Sequence, residues 1–141
     1  MEFEQIIMTY LAREGLFLSP QFIVLEKGKE WSRPDFIAIN FKKKEIQVVE
    51  VTTAQDISRL MAKVADKNNQ WFDKLIPQLK SSKVIPNEDD NGWTNVVRLF
   101  IREDCKQYAE KKVKGNDNVF IEILEDLAFS WKWPWDKWNQ A

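Results

Sequence analysis

Two apolar runs separated by three lysines, followed by a long amphipathic stripe, constrain this chain more than any other feature. Residues 35–41 alternate and are rich in Phe and Ile, residues 45–52 carry Val48, Val49 and Val51, and Lys42-Lys43-Lys44 lies between them. Alternating β-branched and aromatic residues suit a pleated strand, and so short a polar connection joins the two as a hairpin. From about 55 to 80, Ile57, Leu60, Met61, Val64, Asn68, Trp71, Phe72, Leu75 and Leu79 fall on one stripe, which predicts a long helix. Pro77 would kink or end it. A hairpin feeding a crossover helix implies a mixed sheet with helices on its faces.

The flanking segments extend that plan. Phe3, Ile6, Ile7, Tyr10 and Leu11 predict a first helix over 3–14, with Gly15 as its C-cap. The run Phe22-Ile23-Val24-Leu25 predicts the first strand, and Lys27-Gly28-Lys29 a turn. Residues 81–92 form a loop and 93–102 a strand. A short polar helix over 103–113 follows, then a turn at Gly115-Asn116-Asp117-Asn118 and a last strand over 119–124. The predicted order is α-β-β-β-α-β-α-β, an α/β fold in a single domain over 1–141. Its core covers about 2–102, and a C-terminal extension over 103–141 adds a helix, a strand and a Trp-rich tail. In that tail Trp131, Trp133, Trp135 and Trp138 interleave with Lys132 and Lys137. Such aromatics suit packing or a dimer interface, or stacking on unpaired bases.

Composition narrows the chemistry. There is no His, so a His-based triad, a His general base and a His–Cys zinc site are excluded. Cys105 is the single cysteine, which excludes an internal disulfide framework. Hydrophobic residues are 44% and charged residues 30%, ordinary globular usage that excludes a disordered chain. The formal net charge of −1 advertises neither nucleic acid nor membrane, although a local basic face is compatible with it. Met1-Glu2-Phe3-Glu4 lacks the basic start of a signal peptide, and no apolar run approaches the ~18 residues of a membrane span. A soluble cytoplasmic protein is the expectation. Any catalysis falls to carboxylates, lysines, hydroxyls or a bound metal.

The informative stretch is Arg33-Pro34-Asp35, a gap, then Glu50-Val51-Thr52. It places two acids on neighbouring strands of the predicted hairpin. Glu50 sits among Val48, Val49 and Val51, where a carboxylate is costly to desolvate without compensation. A divalent cation shared with Asp35 would supply it.

This arrangement resembles the PD-(D/E)XK nuclease superfamily, the restriction-endonuclease-like fold, whose core is α-β-β-β-α-β. Its signature is Pro-Asp, a variable gap, then acid-X-Lys on the next strand. Here Pro34-Asp35, Glu50 and Val51 match. The resemblance implies a Mg²⁺- or Mn²⁺-dependent DNA endonuclease, commonly a homodimer, with the metal on Asp35, Glu50 and the Val51 carbonyl. It also implies a role at the site for Glu4 on the first helix. That residue precedes Gly15-Leu16-Phe17, which is similar to Holliday-junction resolvases; transposon-end and restriction-type members fit as well.

Thr52 stands where the family has its Lys, and it is too weakly acidic to act as a base. Lys63 or Lys67 could reach in from the long helix, or a second metal held partly by Glu4 could replace the cation. Alternatively the fold binds DNA or a protein partner without cutting. Thr52 could still hydrogen-bond water or phosphate. Gln55 and the helix N-terminus could contact the same region, and Lys42, Lys43 and Lys44 could touch the DNA backbone. A third reading is an assembly protein whose Trp tail is its working surface.

Overall fold

Strand β5 (Glu45–Val51) is the centre of the fold, and its sequence explains why. Four consecutive residues, Ile46 to Val49, are buried, as expected for a strand covered on both faces. The structure is a computed structural model that describes residues 2–86 and 92–127. β5 pairs antiparallel with β4 (Phe36–Asn40), from Phe36 opposite Val49 to Asn40 opposite Glu45. The hairpin expected from residues 35–52 is therefore present, with Lys42-Lys43-Lys44 at its tip.

The five-stranded sheet runs β1-β4-β5-β6-β7. β1 (Phe17–Pro20) is antiparallel to β4, whereas β6 (Thr94–Ile101) and β7 (Val119–Ile123) continue parallel from β5. The chain is thus α/β with a mixed sheet, as its residue pattern predicts. Parallel neighbours need crossovers. α2 (Ser58–Ala65) and α3 (Asp73–Ser81) supply the first, and α4 (Lys106–Lys112), entered through a 3₁₀ turn at Glu103–Cys105, supplies the second.

Alternation in the strands sorts the core into two layers. Ile37, Ile39, Ile46, Val48, Val97, Leu99 and Ile101 point to one face, under Met61, Val64, Leu75, Leu79 and Ala109 of the three later helices. Phe36, Ala38, Val49 and Phe100 point to the other face, under Ile7 and Leu11 of α1 (Glu2–Arg13).

Two elements differ from the sequence-based expectation. The run Phe22 to Leu25 does not enter the main sheet. The first sheet strand is β1, and Val24–Glu26 (β2) instead pairs with Lys29–Ser32 (β3) in a separate ribbon. The long helix is broken: α2 ends at Ala65 and a π-helical turn spans Asn68–Phe72 before α3. Trp71 and Phe72, at the end of that turn, are both buried. Pro77 neither ends nor starts a helix; it lies inside α3. The Trp-rich tail and part of the 81–92 loop lie outside the described residues. Among the described residues no helix is long and apolar enough to cross a membrane.

Candidate functional site

Asp35 immediately precedes β4, and its backbone is fixed from two sides. Its carbonyl accepts the Gln21 N–H from the end of β1 at 2.9 Å. Its own N–H donates to Glu50 Oε2 at 3.1 Å. Asp35 Oδ2 in turn accepts the Val51 N–H at 2.8 Å. Each acid therefore takes a backbone amide from the other's strand, and the two carboxylates are locked together where the hairpin opens.

By the alternation of β5, Glu50 shares the face of Ile46 and Val48, beneath the later helices. Burial pushes the Glu50 carboxyl up to about 8, and the charge and hydrogen bonding of Asp35 push the same way. The Asp35 amide and the charge of Lys63 act in the opposite sense. Lys63, in the last turn of α2, is thus the cation whose field reaches this pair. Glu50 is not an edge-strand acid, because β5 lies between β4 and β6. Nor does it pair with Arg33, whose Nη2 binds Glu30 Oε1 at 2.6 Å.

The backbone beyond Glu50 has a defined orientation. Thr52 N–H donates to the Phe100 carbonyl at 3.0 Å, continuing the ladder towards β6. Val51 N–H points the opposite way, to Asp35. Within one extended residue the N–H and C=O share a side, so the Val51 carbonyl is directed to the side of the carboxylates. Thr52 Oγ1 accepts the Ala54 N–H at 3.1 Å, which shapes the turn leaving β5. These oxygens form a hard donor set of the kind that Mg²⁺ or Mn²⁺ takes.

Scans against protein-family models, curated proteins and solved structures found no match.

The remaining candidates do not converge on the pair. Lys67 donates to the Asp117 carbonyl in the turn before β7, and burial lowers its pKa. Glu4 lies on α1, in the layer across the sheet from Glu50. Among the described residues no three acidic or thiol side chains gather as a metal-binding group. Gln55 is exposed in the loop before α2, where its carbonyl accepts the Cys105 thiol at 3.2 Å. The N-terminus of α2 is engaged by its own loop, since Ser58 N–H donates to Asp56 Oδ1 at 2.9 Å. Lys42, Lys43 and Lys44 sit at the closed end of the hairpin, about 15–20 Å from Glu50 along β5.

One group was missed in the sequence. Arg98 is buried on the α1 face of β6. Its Nε and Nη2 bind Glu122 at 2.8 and 2.9 Å, its Nη1 and Nη2 bind Glu14 at 2.8 and 3.2 Å, and Nη1 also meets Gln47 Oε1 at 3.3 Å. Burial works against its charge, but the two paired carboxylates more than offset this and its pKa is raised. This network ties the end of α1 to β7 through the centre of the sheet. Its signal was a charged residue inside the run Val96-Val97-Arg98-Leu99-Phe100.

Proposed function

We propose that this chain is a divalent-metal-dependent endonuclease of restriction-endonuclease-like architecture, hydrolysing phosphodiester bonds in DNA. The observation that carries the reading is the interlocked Asp35–Glu50 pair at the open end of β4–β5, with Lys63 within electrostatic reach. The sheet order, with a meander of three antiparallel strands extended in parallel after a helical crossover, supports the architecture.

Two half-buried, facing carboxylates repel each other, and a divalent cation relieves that repulsion, so these residues fit such an ion. Asp35, Glu50 and the Val51 carbonyl would hold it. When bound, the ion supplies positive charge to a phosphate and acidifies a water. Lys63 takes the place of the Lys that Thr52 lacks. Its ammonium, on an exposed residue of α2, stabilises negative charge developing on the phosphate. Thr52 shapes the turn through the Ala54 N–H that its hydroxyl accepts, and that hydroxyl is too weakly acidic to act as a base.

The test is cleavage of linear, single-stranded, flapped and four-way DNA in Mg²⁺ or Mn²⁺. Wild type cuts at least one substrate and Asp35→Asn does not. Lys63→Ala lowers the turnover by about 10²-fold or more while retaining metal binding. Metal binding by the wild type without cleavage of any substrate would favour the reading as a non-cutting DNA- or protein-binding relative.

A further inference from the structure

A cleft lies at the opposite end of the hairpin from the carboxylates. It encloses about 940 Å³ between the end of α1 and the β4–β5 turn, and Glu14, Phe17, Asn40, Phe41, Lys42 and Lys43 line it. Phe17 is 61% and Phe41 51% exposed. Their rings meet edge to face at 6.2 Å, and Phe41 meets Trp93 in the same manner at 6.0 Å. Neighbouring large aromatics this open to water mark a surface that meets a partner.

The surroundings define the partner's chemistry. Among the described residues Glu14 is the one acid lining the cleft, and Arg98 already binds both of its oxygens. Lys42 and Lys43 leave an excess of positive charge beside the rings. The turn that carries them is fixed: Asn40 Oδ1 accepts the Lys43 N–H at 3.0 Å and the Lys44 carbonyl accepts the Thr94 N–H at 2.8 Å. A rigid aromatic shelf flanked by lysines matches exposed bases joined by phosphates. A duplex hides its base faces and would gain only the lysines.

We propose that this cleft is a docking surface for single-stranded DNA, with bases on Phe17 and Phe41 and phosphates on Lys42 and Lys43. The choice of DNA over RNA rests on the endonuclease reading; the preference for an unpaired strand rests on the cleft itself. The surface therefore directs the enzyme to DNA that carries an unpaired segment.

The test is fluorescence anisotropy of the full chain with a short labelled oligothymidylate, the matching duplex and the matching RNA, all with chelator and no metal. The single DNA strand binds more tightly than either competitor. Phe17→Ala with Phe41→Ala weakens it by about tenfold or more and leaves the duplex unchanged. Lys42→Ala with Lys43→Ala lowers the slope of log affinity against log salt by about 1.4, roughly 0.7 per phosphate. All four side chains are exposed, and unchanged thermal melts establish that the variants fold. Equal affinity for strand and duplex, or tighter binding of RNA, overturns the proposal. So does a Phe pair variant that dissolves self-association without altering oligonucleotide affinity, which would assign the surface to a second copy. Because binding is read without metal, its failure is distinguishable from a failure to cleave.

Discussion

Glu50, half-buried, and Arg98, buried, show how one charge removed from water differs from another. Glu50 faces a second carboxylate, and burial and Asp35 hold its carboxyl near 8 against an ordinary 4.5. A carboxyl raised on folding favours the native state while it is protonated. Its contribution is full below 4.5 and is lost as the pH rises through about 8. Glu50→Gln keeps an oxygen to accept the Asp35 amide but carries no charge. It should therefore raise the melting temperature near pH 8 and change it little at acid pH, as differential scanning calorimetry would show. Equal melting temperatures at alkaline pH would mean that the pair carries no repulsion. Arg98 is the opposite case, a cation with every N–H donor engaged. Arg98→Ala strands two carboxylates and should cost about 2–4 kcal/mol by denaturant unfolding, below the full buried-pair cost because Glu14 remains 35% exposed. Asp35 and Glu50 were legible in sequence from their strand context. The partners of Arg98 were not, since Glu14 lies 84 residues away and nothing local marks it.

At the scale of elements, local pattern succeeded where burial was two-sided and failed where tertiary contacts chose between options. The β4–β5 hairpin was readable because Val48, Val49 and the alternating Phe–Ile run admit one conformation. The run Phe22 to Leu25 looks equally strand-like, yet its contacts lie with α3 rather than the sheet. Gln78 Oε1 accepts the Leu25 N–H at 2.9 Å and Gln78 Nε2 donates to the Ile23 carbonyl at 3.0 Å. Trp31 Nε1 donates to the Gln70 carbonyl at 2.9 Å, with Lys74 stacked 3.9 Å above its ring. One glutamine thus stands in for a neighbouring strand, a substitution that no periodicity reveals. Gln78→Ala should speed hydrogen exchange at the Leu25 amide by tenfold or so while costing only about 1 kcal/mol overall. A Leu25 amide that exchanges as in the wild type would show that the ribbon is held by other contacts. The helix over 55–80 carries an apolar stripe throughout, and nothing in that periodicity marks the π-helical turn at Asn68–Phe72.

For the whole molecule, the sheet order brings residues distant in sequence to one end. The hairpin opens there, β5 ends at Val51, and α2 carries Lys63 back over the same face. Sequence spacing placed the two acids side by side. It could not decide between Lys63 and Lys67, because their separation by one helical turn becomes a difference of direction only when α2 stops at Ala65. Lys67 then donates to the Asp117 carbonyl, while the charge of Lys63 still acts on Glu50. The most direct measurement is calorimetric titration of Mn²⁺ into the wild type and into Asp35→Asn at slightly alkaline pH. One saturable ion in the wild type, absent from the variant, is the result predicted for a metal held between Asp35 and Glu50. Absence of binding to the wild type, or equal binding by both, would contradict it.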